Sequence, residues 1–164
     1  MEDVVKAKGY LTLGSRFRRL GERLQAEVQV MAGQYGLDLP SSLFTTMHTI
    51  DSHGTITVGE LAEALGISQP GVTRTISQME KLGLVTVKPS KEDRRVRHIA
   101  LTRKCKLEVD RASTEFWPRV ERAVAEICEP LKSGGLLDML SAIEHAMDEK
   151  PLAQRGQRKT EKAK

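Results

Sequence analysis

The sequence predicts a mainly α-helical fold with a small β wing, that is, a winged helix-turn-helix flanked by longer helices. Two helical segments, at 57–65 and 68–82, are separated by a glycine-containing turn, and two β-prone segments, at 84–87 and 96–101, follow them. Apolar residues on both sides recur every three or four positions, the period of an amphipathic helix. The expected divisions are 1–36 for an N-terminal helix, 37–103 for the winged block, 104–149 for C-terminal helices and 150–164 for a basic disordered tail.

Two helices are expected ahead of the helix-turn-helix. The first covers residues 10–35, and the second covers 41–53 after Pro40. The side chains that set the helical period of the first are Tyr10, Leu13, Phe17, Leu20, Leu24, Val28, Met31 and Tyr35.

The first helix of the helix-turn-helix carries its own start and stop signals. Thr57 and Glu60 have the spacing of a capping box, in which each side chain accepts a hydrogen bond from the other residue's free backbone amide. Gly66 ends the helix, because glycine enters the left-handed cap conformation without a Cβ penalty. Leu61, Ala62 and Leu65 would face inward.

The second helix divides into an apolar and a polar side. Ser68 caps it, and Pro70 lies in the first turn, where its missing N–H costs nothing. The predicted apolar stripe is Val72, Ile76, Met79 and Leu82. The opposite side and the N-terminal end carry Ser68, Gln69, Pro70, Thr73, Arg74, Ser77 and Lys81. Such a surface suits a helix that enters a DNA major groove, although any solvated helix shows a polar outer side.

A charged β-hairpin is expected after Gly83. Its tip and the strand that leaves it carry Lys91, Asp93, Arg94, Arg95 and Arg97. An arginine at such a tip can enter a minor groove, where negative potential is focused. Asp93 is expected to pair with Arg95 or Arg97 and to orient the guanidinium.

The charge distribution favours the same face. Residues 69–106 contain ten Lys/Arg and three acidic residues, a net charge of +7, whereas 1–68 and 107–150 together carry −7. The overall +4 therefore comes from 151–164, and the internal asymmetry is the informative quantity.

Two further helices are expected after the hairpin. Thr102 would cap the first, Pro118 would interrupt and bend it near 114–118, and the last would cover 136–149. Their apolar stripes, like that of 10–35, need partners. A homodimer satisfies them, and packing within one chain is the alternative.

These motifs resemble those of the multiple-antibiotic-resistance regulator (MarR) family of winged-helix transcription factors. The resemblance rests on LAEALGISQPGVTRTISQMEKLGLV, on DRR at 93–95 and on IALT at 99–102, and it extends over roughly residues 8–149. It departs locally at Cys105, where the family often has a glycine. The opening LGSRFRRLGERLQAEV also resembles a subgroup fused to an N-acetyltransferase, and a chain of 164 residues is expected to be a stand-alone version.

The resemblance implies a function and specific residue roles. Ser68 to Lys81 would be the recognition helix, Asp93 the orienting carboxylate and Arg95 the minor-groove arginine. The protein would bind double-stranded DNA as a homodimer on a pseudo-palindromic operator, as a repressor or an activator. A small aromatic ligand would bind near Phe17, Met47, His48 and Trp117, although core packing explains these four residues equally well.

Other function classes find little support in the sequence. No phosphate-binding loop or catalytic arrangement can be placed, no cofactor is implied, and His48, Asp51 and His53 are more simply solvated polar residues than metal ligands. Basic neighbours of Cys105 would lower its pKa, which leaves thiol sensing open. The two cysteines and the lack of a signal peptide or membrane span lead us to expect a cytoplasmic protein. The alternative function is a winged-helix interaction or structural module without specific DNA readout.

Overall fold

The computed structural model describes residues 2–90, 93, 96–128 and 135–150. The chain divides into two compact units, Met1–Val120 and Glu121–Lys164, which are described separately. The predicted fold class is confirmed: the described residues are mostly helical and include one small antiparallel sheet.

The helices ahead of the helix-turn-helix begin later than expected, because 3-10 turns precede them. The N-terminal region has a short helix, α1 (Val4–Ala7), a 3-10 turn at Gly9–Thr12 and the long α2 (Leu13–Gln34). A second 3-10 turn, Ser41–Leu43, leads into α3 (Phe44–His53).

The helix-turn-helix consists of α4 (Val58–Leu65) and α5 (Gln69–Lys81). The predicted capping box of α4 is confirmed, since Thr57 Oγ1 accepts from the Glu60 amide at 3.3 Å and Glu60 Oε2 accepts from the Thr57 amide at 2.8 Å. Gly66 follows α4 with φ of 63°, the left-handed conformation expected of it.

The wing is part of a three-stranded sheet. Strands β1 (Ile56–Thr57), β2 (Val85–Pro89) and β3 (Arg97–Leu101) are antiparallel, in the order β1-β3-β2. The sequence predicted only β2 and β3, because a two-residue strand has no periodicity to detect. Pairing of Ile56 with Ile99 joins the start of α4 to the wing.

Pro118 interrupts the helix after the wing, as predicted. Helix α6 (Arg103–Arg111) passes through a π-helical segment, Ala112–Phe116, into α7 (Trp117–Cys128). Pro118 is the second residue of α7, but α7 continues directly from the π-helical segment, so the missing N–H falls inside a continuous helical run and breaks its regular α-helical bonding. In the second unit, α8 covers Leu136–Glu149.

The main core of the first unit lies beneath the helix-turn-helix. It joins α3, α4, α5, the sheet and α6 through Met47, Ile50, Leu61, Val72, Ile76, Met79, Ile99 and Val109, all buried. A second cluster joins the end of α2 to the π-helical segment through Ala32, Leu37, Ala112 and Phe116.

The predicted apolar stripe of α5 is wrong at one residue, Leu82. Val72, Ile76 and Met79 are buried as expected, but Leu82 is 52% exposed. The helix ends in a Schellman motif at Gly83 (φ 68°), with the Leu84 amide donating to the Met79 carbonyl at 2.9 Å. Because the chain turns here, Leu84 is buried in place of Leu82.

Candidate nucleic-acid interface

The N-terminal end of α5 is exposed and held by its cap. Ser68 Oγ accepts a hydrogen bond from the Gly71 amide at 3.4 Å, and Pro70 lies in the first turn. Free backbone amides at a helix N-terminus attract negative charge, so this end is suited to approach a phosphate backbone.

The polar side of α5 is solvent-exposed along its whole length. Its exposed residues include the seven predicted from the sequence, Ser68, Gln69, Pro70, Thr73, Arg74, Ser77 and Lys81, and the acidic Glu80 is exposed on the same side. Two of these side chains bond to the helix's own backbone. Thr73 Oγ1 donates to the Gln69 carbonyl at 2.9 Å, and Arg74 Nε donates to the Pro70 carbonyl at 3.3 Å. The Arg74 side chain thus points back toward the exposed N-terminal end of α5.

The wing carries part of the predicted basic set on its paired strands. Arg97 is exposed at the start of β3 and pairs in register with Pro89, while Lys88 pairs with His98. Asp93 is exposed, and its carbonyl accepts from the Val96 amide at 2.9 Å. The predicted contacts Lys91, Arg94 and Arg95 lie outside the described residues.

Thr102 joins the end of α5 to the start of α6. Its hydroxyl caps α6, as predicted, by accepting from the Cys105 amide at 3.2 Å. The same hydroxyl donates to the Gly83 carbonyl at 2.9 Å, and the Thr102 amide donates to the Leu84 carbonyl at 2.9 Å. Sequence reasoning missed these two bonds, because capping motifs reveal only local partners.

Lys106 is held by acidic partners on two helices. Its ammonium lies 2.9 Å from Asp51 on α3 and also pairs with Asp110 on α6. These carboxylates raise the pKa of Lys106, chiefly through the hydrogen bond to Asp110. Although Lys106 counts toward the +7 of residues 69–106, its charge is matched within the protein.

The four residues predicted to hold a small ligand are only partly brought together. Met47 is fully buried in the main core, and the His48 and Trp117 rings meet edge to face with centroids 5.1 Å apart. Phe17 is 43% exposed on α2 and makes no ring contact with any described residue. The Trp117 indole Nε1 is shielded from solvent and finds no hydrogen-bond partner among the described residues.

Cys105 differs from the sequence-based expectation. Burial raises the pKa of its thiol to about 11, with the charges of Asp51 and Glu108 adding to the effect. Its basic neighbours in sequence point outward on α6, whereas its own side chain is 1% exposed and lies 3.6 Å from Met47 Sδ. The lowered pKa expected of Cys105 is therefore wrong.

Two features are absent from the described part of the chain: a cluster of metal ligands and a helix that could cross a membrane. No group of three or more His, Cys, Asp or Glu side chains there is arranged to hold a metal ion. None of the helices there has both the length and the apolarity needed to cross a membrane.

Known proteins similar to this chain share its winged block and its fold. Residues 37–96 match the sequence model described as "MarR family". The HTH-type transcriptional regulator PrsX of Escherichia coli is 32% identical over 85 residues, which are 51% of this chain and 51% of PrsX. The chain thus matches about half the length of that curated relative.

Two solved structures bound to DNA have the same fold. A mutant MarR from Escherichia coli, complexed with operator DNA, superposes with a TM-score of 0.66 at 16% identity, over 89% of this chain and 99% of that one. The transcriptional repressor CouR, bound to a 23-mer DNA duplex, superposes with a TM-score of 0.66 at 22% identity, over 88% and 98% of the two chains. At these identities the likeness establishes the winged helix-turn-helix fold.

Proposed function

We propose that this protein is a MarR-type transcription regulator that reads double-stranded DNA with α5 and the wing. The observation that carries the proposal is the two-sided character of α5. Val72, Ile76 and Met79 anchor one side in the core, while the other side is exposed and bears small, polar and cationic side chains together with one carboxylate, Glu80. Such a helix can approach base edges closely without disturbing the core.

Selection of bound sequences from random DNA duplexes, followed by gel-shift titration, tests this function. Specific binding should fall about tenfold or more in Arg74→Ala, because one good base contact contributes ~1–3 kcal/mol of discrimination. Arg16→Ala is the matched control, since it removes the same charge from an exposed position on α2. Failure to retain DNA at low salt would overturn the proposal in favour of an interaction or structural module, and so would equal losses in the two variants.

The wing contributes two kinds of contact in this proposal. Arg95, assigned from the sequence, enters a minor groove, so Arg95→Ala should weaken binding most at narrow, A·T-rich flanks. Lys91 and Arg97 contact phosphates, so alanine at either position should reduce the salt dependence of binding by about one counterion. If Arg95→Ala weakened binding equally on all sequences, Arg95 would not be a minor-groove contact. If the salt dependence were unchanged in Lys91→Ala or Arg97→Ala, that residue would not contact a phosphate.

The functional unit is proposed to be a homodimer on a pseudo-palindromic operator. Support comes from large apolar side chains that are exposed in each unit. Tyr10 is 93% exposed ahead of α2, Leu20 is 54% exposed on α2, and Met139 is 51% exposed on α8. Light scattering after size exclusion should give twice the chain mass, and a monomer at micromolar concentration would contradict the dimer.

A small aromatic ligand that releases DNA completes the proposed function. The unpartnered Trp117 indole N–H beside the His48 ring supports this part, because an acceptor on the ligand would satisfy it. Aromatic carboxylic acids should raise the melting temperature of the native chain. Trp117→Phe keeps a ring and removes the N–H, so the rise should shrink in that variant. An equal rise in both would contradict this site.

A further inference from the structure

Arg111, in the last turn of α6, reaches across to the end of α2. Its Nη2 donates to the Tyr35 carbonyl at 2.6 Å, and Tyr35 is the residue at which α2 ends. The last carbonyls of a helix have no partner within the helix and carry partial negative charge, so a guanidinium suits one of them as a donor. This contact couples the N-terminal helix to the helix that follows the wing.

Two ring contacts hold Tyr35 at the same place. Its ring centroid lies 5.6 Å from that of Phe116 in the π-helical segment, and the Arg119 guanidinium carbon lies 5.1 Å from the Tyr35 centroid. Two residues further on, the Leu37 amide donates to the Ala32 carbonyl at 3.0 Å. The turn that ends α2 is therefore fixed both by its own hydrogen bond and by the helix after the wing.

Arg111 also lies beside two carboxylates that are beyond hydrogen-bond distance. Its Nη1 is 3.9 Å from Glu108 Oε2, and its Nε is 3.8 Å from Glu115 Oε2. Glu108 Oε2 is shielded from solvent and has no hydrogen-bond partner among the described residues, whereas the Glu115 side chain is 65% exposed. A shielded charged acceptor without a hydrogen bond is costly, whereas water satisfies an exposed one.

Arg111 therefore has a second acceptor close by. Shortening the distance from Nη1 to Glu108 Oε2 by about 1 Å makes a charge-assisted hydrogen bond, which is stronger than a bond to a neutral carbonyl. Separation of α2 from α6 breaks the bond to Tyr35 and frees the guanidinium to make this move. The π-helical segment begins directly after Arg111, and such segments mark places where a helix bends.

We propose that Arg111 is a latch between α2 and the helix that follows the wing, closed on the Tyr35 carbonyl and open on Glu108. The closed latch fixes the winged block relative to α2, and the open latch stabilises the state in which the two have separated. The regulatory consequence rests on the DNA-binding function proposed above: in a dimer, the position of the winged block relative to α2 sets the spacing of the two recognition helices.

Amide hydrogen exchange, followed by NMR on the full chain without DNA, tests the latch. The Leu37 amide reports on it, and the Ile67 amide, which makes the same kind of bond to the Ala62 carbonyl after α4, is the internal reference. Arg111→Met keeps the side-chain length and removes the donor, so Leu37 exchange should accelerate about tenfold or more while Ile67 exchange is unchanged. Unchanged Leu37 exchange, or equal acceleration at both amides, would overturn the latch.

Two matched variants test the role of Glu108, since each removes one carboxylate charge beside Arg111. Glu108→Gln should slow Leu37 exchange by about tenfold, because the open latch loses its charge-assisted bond. Glu115→Gln should leave exchange unchanged. An ion pair that only stabilised the closed state would give the opposite sign, so faster exchange in Glu108→Gln would overturn the proposal, and so would equal effects of the two variants.

A double variant shows whether Glu108 acts through Arg111. In the Arg111→Met background, Glu108→Gln should have no further effect on Leu37 exchange. The same slowing in both backgrounds would mean that Glu108 acts on the turn by another route, and the latch would be wrong.

Addition of DNA separates the regulatory consequence from the function on which it rests. DNA selected by the native chain should slow Leu37 exchange at least about fivefold, because it binds the closed state more tightly. Leu37 is buried, so the bound duplex does not shield its amide directly. Failure of the native chain to bind DNA would contradict the proposed function, while the exchange results obtained without DNA still decide the latch. DNA binding that leaves Leu37 exchange unchanged would overturn the regulatory consequence alone.

Discussion

Glu60 shows how one side chain holds the start of the helix-turn-helix. Its carboxylate accepts from both the amide and the hydroxyl of Thr57, at 2.8 Å each. The bond from the Thr57 amide is the main cause that lowers the pKa of Glu60 below its ordinary 4.5, and the hydroxyl adds to it. The folded state therefore favours the charged form of Glu60.

We expect Glu60→Gln to destabilise the protein in a pH-dependent way. Because the pKa of Glu60 is lowered on folding, the contribution of its charge is fully present above pH 4.5 and disappears as the pH falls through the folded value. Urea unfolding of both proteins from pH 7 to pH 3 should show a midpoint difference that shrinks on acidification. A difference that is constant across this range would mean that the charge contributes nothing.

The two cysteines should differ strongly in reactivity. Cys105 is buried, and its thiol pKa is raised to about 11, whereas Cys128 is half-buried on α7. A disulfide reagent at pH 8 should modify Cys105 at least about tenfold more slowly, because the thiolate is the reacting species. The measurement compares Cys128→Ser, which leaves Cys105, with Cys105→Ser, which leaves Cys128.

Unfolding in urea supplies the control for this comparison. Both single-cysteine variants should then react at similar rates, since burial no longer separates the two thiols. Comparable rates in the folded proteins would show that Cys105 is accessible and would support the hypothesis that it senses oxidants.

At the scale of elements, the junction of α5 with α6 depends on one hydroxyl. Thr102 Oγ1 caps α6 and donates to the Gly83 carbonyl at the end of α5. Thr102→Val keeps the side-chain volume and removes both bonds, so it should cost about 1–2 kcal/mol in free energy of unfolding. Thr102→Ser keeps the hydroxyl and should lose much less. Equal losses in urea titrations of the two variants would show that the methyl group contributes as much as the hydroxyl, and would contradict the central role of the hydroxyl.

The elements that the sequence predicted correctly are those with local signals. The caps at Thr57, Ser68 and Thr102 and the break at Pro118 each depend on residues within one or two turns of each other. Strand β1 was not predicted, because its pairing with β3 joins residues that are far apart in sequence.

The site was predictable to the same extent. The outer side of α5 followed from helical periodicity, and the structure exposes all seven residues named for it. The exposure of Leu82 and the burial of Cys105 did not follow, since both depend on where the chain turns and on what packs from α3. The contact of Arg111 with the Tyr35 carbonyl joins residues that are far apart in sequence and has no signature in either segment.

At the scale of the whole molecule, the basic charge is concentrated in one segment, whereas exposed apolar side chains occur in several. The net +7 lies in residues 69–106, while large exposed apolar side chains also occur on α2, α7 and α8. A polyanion such as DNA would bind the basic segment, and a second copy of the chain would cover the exposed apolar side chains on α2, α7 and α8. Association with DNA should therefore weaken steeply with salt, whereas the dimer should not.

The spacing of operator half-sites gives the most direct test of this arrangement. A two-fold dimer presents its two recognition helices to successive major grooves on one face of the duplex, ~34 Å apart. Inserting about five base pairs at the operator centre turns one half-site to the opposite face, and inserting about ten restores the face but doubles the separation. A rigid dimer fits neither duplex, so both insertions should reduce gel-shift affinity to that of a single half-site. Changing the central base pairs without changing their number is the control and should preserve most of the binding. Two insertions that bind as well as the parent operator would show that the reading heads act independently, and the dimeric model of recognition would then be wrong.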